Sequence, residues 1–188
     1  MNIVLTCLVN FQPYILDNIR QLHRLGHARE NIFILCNQHM VPQFGTVKEY
    51  ITIIEVEELE GQEDEFRYDD RSGLDNGFRG GFWKLASSRF FVIHRFMKKY
   101  NVRDVLHLEN DVVMYYHGNE LMSYLDPTRM YLPFDNYERN IASIVYIPDA
   151  NVLGGVLRHY DMGKNDMYNF SSIAKKTNLI DHFPIFCL

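Results

Sequence analysis

In the first half of the chain the apolar positions fall into short unbroken runs separated by polar stretches. "NIVLTCLV" (2–9), "NIFILC" (31–36) and "ITIIEV" (51–56) are rich in β-branched residues and too short for ordinary helices. Runs of this kind belong to strands buried on both faces, as in parallel sheets covered by helices. Between the first two, "PYILDNIRQLHRLG" changes to helical spacing, opening at Pro13 and closing at Gly26. The spacing predicts a second helix from Phe82 to Tyr100, with Phe82, Leu85, Ala86, Ile93, Phe96 and Met97 on one broad face. Arg89 falls on that same face. A guanidinium there costs free energy unless something meets it, so Arg89 either pairs with a structural carboxylate or reaches into a site.

The stretch "VLHLENDVVMYY" (105–116) reads as a further buried strand, interrupted near its end by Glu109, Asn110 and Asp111. Beyond it the pattern predicts a short helix in "NELMSYLD", strands in "MYLPFD" and "ASIVYIP", helices at about 150–161 and 166–177, and an apolar tail, "LIDHFPIFCL", that must pack somewhere. Strands alternating with helices predict an α/β fold, and 188 residues suit one domain spanning 1–188.

Composition narrows the field of partners. With 47% hydrophobic and 14% aromatic residues there is ample material for a packed interior. The net charge of -5, with no basic tract, argues against nucleic acid as a partner. Cys7, Cys36 and Cys187 form no metal-type pair, which fits a reducing compartment. The first apolar run lacks a basic flank and is far short of the ~20 residues of a membrane helix, so the expectation is a cytoplasmic chain without a membrane span.

Ten of the 24 acids lie between Glu55 and Asp75, followed by "GLDNGFRGG" with four glycines. This segment reads either as a solvated loop or as a lid over a ligand. It lacks the Gly-Lys-Ser/Thr ending of a phosphate-cradling loop.

Side chains alternate along a strand, so Glu109 and Asp111 are expected on one side with Asn110 pointing away. They lie where the strand should end, and ligands of open α/β sheets collect at the carboxyl ends of strands. Two carboxylates that close need solvent, a proton or a cation, and hard oxygen ligands suit Mg²⁺ or Mn²⁺. The plainer alternative is a strand-end turn with solvated acids.

Together these residues resemble the GT-A fold nucleotide-sugar glycosyltransferases, whose "DxD" motif follows an apolar strand much as in "VLHLENDVVMY". "FWKLASSRFFVIHRF" is similar to the arginine-bearing helix that precedes this strand in some families, and "IVLTCLVN" to the nucleotide-binding first strand. "LIDHFPIF" resembles a C-terminal His-aromatic step that supplies the remaining metal ligand. The sequence departs from the pattern in having Glu rather than Asp as the first acid, and it is short. Its compactness resembles glycosyltransferase domains encoded by some large DNA viruses, which would place it in a host cytoplasm.

The resemblance implies a single-domain, Rossmann-like, mostly parallel sheet flanked by helices, with 1–116 as the nucleotide-sugar half and 117–188 as the acceptor half. It implies Thr6, Leu8 and Asn10 near the base and ribose, and Arg71, Arg89, Glu109 and Asn110 in the donor-binding set. Asp111 would bind Mn²⁺ or Mg²⁺, with Glu109 beside it and His182 as the remaining ligand. Arg89 would also stabilise the departing diphosphate, and Asp135 is the candidate general base if configuration is inverted. The donor it implies is a UDP-sugar and the acceptor a glycan or other hydroxyl.

Several residues keep two readings. Asp135 also suits a turn before Asn136, and Arg71 also suits a surface loop as an ordinary exposed arginine. His107 is either a core histidine or part of the site, His159 is a reserve metal ligand, and Gly154–Gly155 allow either a sugar or a neighbouring helix to approach. A sugar nucleotidyltransferase shares a similar sheet but needs a Gly-rich basic loop after the first strand, which "LVNFQPYIL" lacks. A non-catalytic nucleotide- or glycan-binding module is the third reading.

Overall fold

The computed structural model describes residues 1–61, 65–68, 74, 77 and 81–184. Seven strands form one twisted sheet: β1 (Asn2–Cys7), β2 (Ile32–Cys36), β3 (Thr52–Glu55), β4 (Val105–Leu108), β5 (Met130–Leu132), β8 (Ile144–Ile147) and β9 (Ile180–His182), in the order β3-β2-β1-β4-β8-β5-β9. All neighbours run parallel except at β8, which is antiparallel to both β4 and β5. The hairpin of β6 (Phe134–Asn136) and β7 (Arg139–Asn140) stands apart from it. Residues 1–116 supply β1 to β4 and residues 117–188 supply β5, β8 and β9, so one sheet draws on both halves.

The helices cover the two faces. On one side α1 (Ile15–Arg24) presents Ile15, Ile19 and Leu22, spaced one helical turn apart, to Ile3, Leu5, Ile32 and Ile34 of the sheet. It ends at Gly26, whose φ of 92° is closed by hydrogen bonds from His27 N to Leu22 O and Gly26 N to His23 O, a Schellman cap. On the other side α2 (Phe82–Tyr100) buries Phe90, Ile93, Phe96 and Met97 with α3 (Ala150–Leu157) and α4 (Asp166–Lys176). A Cβ on Gly154 would come within 3.1 Å of the His94 ring, so this glycine serves close packing of α3 on α2. No helix among the described residues is long and apolar enough to cross a membrane.

Two predicted strands are shorter than their sequence pattern. Pro133 divides "MYLPFD" into β5 and β6, because proline has no N–H for the ladder. The strand through "VLHLENDVV" stops at Leu108, where its register with β1 ends at Leu5. "NELMSYLD" forms a 3₁₀ helix over Gly118–Tyr124.

Two buried histidines make the fold sensitive to acid. His27 stacks on His117 at 4.0 Å, and its Nε2 accepts the Gly118 N–H at 3.2 Å. Burial pushes its pKa down to about 4, with His117 and the N-terminal amine adding to the shift. His107 on β4 is fully buried, its Nδ1 3.0 Å from the Val4 carbonyl, and burial takes its pKa down to about 3. Unfolded, both titrate near 6.5, so the unfolded chain binds protons the folded one refuses as pH falls below that value. Their contribution to stability is complete above about pH 6.5 and lost below it, by about 1.4 kcal/mol per pH unit for each. Urea midpoints should therefore fall between pH 7 and 5, less steeply in His27→Gln. Equal slopes in the two proteins would remove His27 from this account.

Candidate functional site

A cavity of about 360 Å³ opens at the carboxyl ends of β1 and β4. The β1 strand and the loop after it contribute Thr6, Leu8, Asn10, Gln12 and Tyr14. The first two turns of α2 contribute Phe82, Leu85, Ala86 and Arg89, and the turn after β4 contributes Glu109, Asn110 and Asp111. Seven residues named from the sequence are thus brought together: Thr6, Leu8, Asn10, Arg89, Glu109, Asn110 and Asp111.

Their arrangement differs from strand alternation. Glu109 N still donates to Ser143 O at 2.8 Å, but Val112 N donates back to Glu109 O at 3.0 Å, so Asn110 and Asp111 form a turn. Both acids line the cavity, and Asn110 does not point away. Its Nδ2 donates to Thr6 O at 3.0 Å and to Gln12 Oε1 at 2.8 Å, tying the ends of β1 and β4 together. Asn18 of α1 supports the turn from below, donating to Val112 O at 2.8 Å.

Arg89 satisfies both readings of its position, since it lines the cavity and pairs with structural carboxylates. Its guanidinium donates to Glu109 Oε1 at 2.6 Å, to Asp166 Oδ2 at 3.1 Å and to the Ala142 carbonyl at 2.8 Å. Its side chain is 8% exposed, that of Asp166 3% and that of Glu109 32%. Burial raises the Asp166 pKa, Arg89 opposes that rise and Glu109 adds to it. Asp166 opens α4 and is the partner that sequence reasoning missed. Its only local signal is an acid after the capping Asn165, a common helix start.

Asp111 is exposed, and among the described residues no cation pairs with it. Tyr14 lies in the field of both acids: burial pushes its hydroxyl pKa up, and Asp111 and Glu109 push it further. The hydroxyl therefore keeps its proton and remains a donor. Gln12 and Tyr14, also unforeseen, sit in the loop that any ligand at the end of β1 must meet.

The β1 loop carries backbone strain. Val9, β-branched and 56% exposed, has φ 68°, and Asn10 N donates to Leu8 O across it at 2.8 Å, while Val9 N donates to Asn37 Oδ1 at 3.0 Å. Glycine has no Cβ to clash in this region, so Val9→Gly should raise stability by up to about 1 kcal/mol after its own entropic cost. A chemical-denaturation midpoint below that of the wild type would show that the side chain contributes more than the strain costs.

The remaining sequence-named residues lie elsewhere. His182 ends β9, three strand positions from β4, about 14 Å at an interstrand spacing of about 4.8 Å, and its ring packs on Phe134. Asp135 is on the β6–β7 hairpin, paired with Arg139 at 2.9 Å, and does not line the cavity. His107 belongs to the core, His159 lies in an exposed turn after α3, and Arg71 lies outside the described residues. The acidic loop of residues 55–75 is described only in part.

The carboxylates fit a hard divalent cation in a limited way. Asp111 is free of any described cation, and Glu109 has Oε1 on Arg89, which leaves Oε2. Among the described residues no third Asp, Glu, His or Cys joins them. One or two carboxylates completed by substrate phosphates and water is a common way to hold Mg²⁺ or Mn²⁺.

No family model matches the sequence, and no curated protein sequence matches it. Solved structures do match in shape. A cytidylyltransferase from Leptospira borgpetersenii superposes with a TM-score of 0.61 at 9% identity, over 98% of this chain and 75% of that one. The galactosyltransferase LgtC, solved with donor and acceptor sugar analogs, gives 0.55 at 11% identity, over 97% and 73%. The glycosyltransferase GlyE of Streptococcus pneumoniae gives 0.56 at 12%, over 97% and 45%. At such identities the likeness is one of fold: this chain has the Rossmann-like, mostly parallel GT-A architecture shared by glycosyltransferases and nucleotidyltransferases.

Proposed function

We propose that the chain is a glycosyltransferase that moves a sugar from a nucleoside-diphosphate sugar, a UDP-sugar in the first instance, to a hydroxyl acceptor with the help of Mn²⁺ or Mg²⁺. The observation that carries this reading is the cavity at the ends of β1 and β4, where a loop suited to a nucleoside meets a carboxylate, Asp111, that pairs with no described cation. Thr6, Leu8, Asn10 and Gln12 would line the nucleoside, and Tyr14 would donate its hydroxyl beside the acids. Asp111 would hold the cation, with Oε2 of Glu109 on the ribose or on a cation-bound water.

Charge explains why a cation is wanted. Among its described residues the cavity holds two carboxylates against one guanidinium that Asp166 already shares, a balance that repels a diphosphate unless positive charge is added. A bound divalent cation would supply that charge and stabilise the departing diphosphate. In the reaction the anomeric C–O bond to the diphosphate breaks and its electron pair leaves on the phosphate oxygen. The acceptor oxygen forms the new bond to that carbon, and its proton passes to a base. Arg89 would keep Glu109 in place throughout. Asp135 as base requires an acceptor that reaches the hairpin, and its pairing with Arg139 would have to open.

A second reading, nucleotidyl transfer, draws on the likeness to the cytidylyltransferase. The cavity argues against it. A nucleoside triphosphate carries more negative charge than a diphosphate sugar, and the loop from Val9 to Tyr14 has no lysine, arginine or glycine to meet it. Isothermal titration of UDP, with Mn²⁺ and after chelation, tests the reading. Binding that requires the metal supports it. Metal-independent binding or none returns Glu109 and Asp111 to a solvated turn, and tight CTP binding with pyrophosphate release would favour the alternative.

A further inference from the structure

A second cavity, of about 610 Å³, lies between α4, the turn of the β6–β7 hairpin and Leu74. Its size falls in the range of small-molecule sites, about 300–1,000 Å³. Glu138 lines it from the hairpin, and Lys164, Asn165, Tyr168, Lys175 and Lys176 line it from α4 and the segment before it. Among the described residues that line it, Leu74 included, three lysines stand against one carboxylate in a chain of net charge -5. Lys164 is partly engaged, 3.5 Å from Asp161, in an exposed pair worth little. Lys175 and Lys176 lie in the last turn of α4, and neither pairs with a described carboxylate. Tyr168 is 45% exposed, an aromatic face with a hydroxyl at its edge.

The walls are held in place before any ligand arrives. Asn136 Oδ1 accepts the N–H groups of Glu138 and Arg139 at 2.9 and 3.2 Å, and Ser171 Oγ donates to Tyr137 O at 2.8 Å, fixing the hairpin to α4. One buried ion pair links this cavity to the first site. Asn165 directly precedes Asp166, whose carboxylate grips Arg89 at the wall of the cavity under β1 and β4.

We propose that this cavity is the acceptor site and that the acceptor is a saccharide bearing an anionic group, a phosphate or a carboxylate. The inference rests on the sugar-transfer reading. Lys175 and Lys176 take the anion as point charges, Tyr168 packs on the ring, and Glu138 accepts from ring hydroxyls.

The test measures binding of α-D-glucose 1-phosphate, D-glucuronic acid and methyl α-D-glucopyranoside by saturation-transfer NMR and calorimetry. The proteins are the wild type, Tyr168→Ala, the Lys175→Ala/Lys176→Ala double variant and Asp111→Asn. The expected result is binding of one or both anionic probes, with the neutral glycoside weaker by about tenfold or more. That affinity should fall by about tenfold in the lysine variant, weaken between about 50 and 500 mM salt, and survive Asp111→Asn. Preference between the two anionic probes tells phosphate from carboxylate. No binding, equal binding of the neutral probe, or an unchanged affinity in the lysine variant overturns the proposal. Failure of UDP to bind in the separate titration would instead overturn the enzymatic reading, leaving a saccharide site whose ligand is not an acceptor.

Discussion

Arg89→Leu should cost about 3–5 kcal/mol of stability, the usual loss when one member of a buried ion pair is removed. For a chain of this size that is a fall in Tm on the order of 10 °C. The reason lies in Asp166, whose side chain is 3% exposed and whose cationic partner is Arg89, 3.1 Å away. Without it the carboxyl group keeps its proton in the folded protein and releases it on unfolding. The variant should therefore lose stability as pH rises from about 4 to 7, the opposite sign to the histidine effect. Arg89→Met combined with Asp166→Leu should recover much of the loss, because a buried pair replaced by apolar groups of similar size is often neutral. Denaturant unfolding of both proteins at two pH values decides the matter. A double variant no more stable than the single one would show that the Ala142 and Glu109 contacts dominate.

Asp111→Asn should do the reverse, sparing the fold and removing activity. The residue is exposed and unpaired with any described cation, so its Tm should stay within a few degrees of the wild type. If Asp111 holds the cation that neutralises the diphosphate, turnover of a UDP-sugar should fall by about 10²–10³-fold, with metal-stimulated UDP binding lost in parallel. Donor hydrolysis without acceptor is the simplest readout. Turnover within about threefold of the wild type would remove Asp111 from the mechanism.

The layered fold was legible because the buried strands carry unbroken β-branched runs and α2 carries a full apolar stripe, both properties of local sequence. Part of the candidate site was legible in the same way, since Glu109 to Asp111 lie where a strand gives out, whereas Thr6, Leu8 and Asn10 follow from the resemblance of "IVLTCLVN" to a nucleotide-binding first strand. The Asp166 partnership was not legible. It depends on α4 returning to the far side of α2, and no local pattern reports a contact over that separation. His182 shows the converse: its neighbours in sequence suggested a ligand, but the strand order sets β8 and β5 between it and β4. Strand alternation misjudged Asn110 because the chain turns one residue after the ladder ends.

The reversed strand β8 bears on how the protein is made. Because it runs against its neighbours, Ala142 and Ser143, just before its start, lie beside the end of β4. Arg89 must therefore wait for partners 53 and 77 residues further along the chain. At about 5–20 residues per second, the interval to Asp166 is roughly 4–15 s. During that time a nascent chain that already contains β1 to β4 carries a guanidinium on the apolar face of α2, and of its described partners only Glu109 has been made. The wall of the candidate site is thus completed only after α4 has been made, and a ribosome stalled near residue 140 would display an apolar sheet that chaperones have reason to hold.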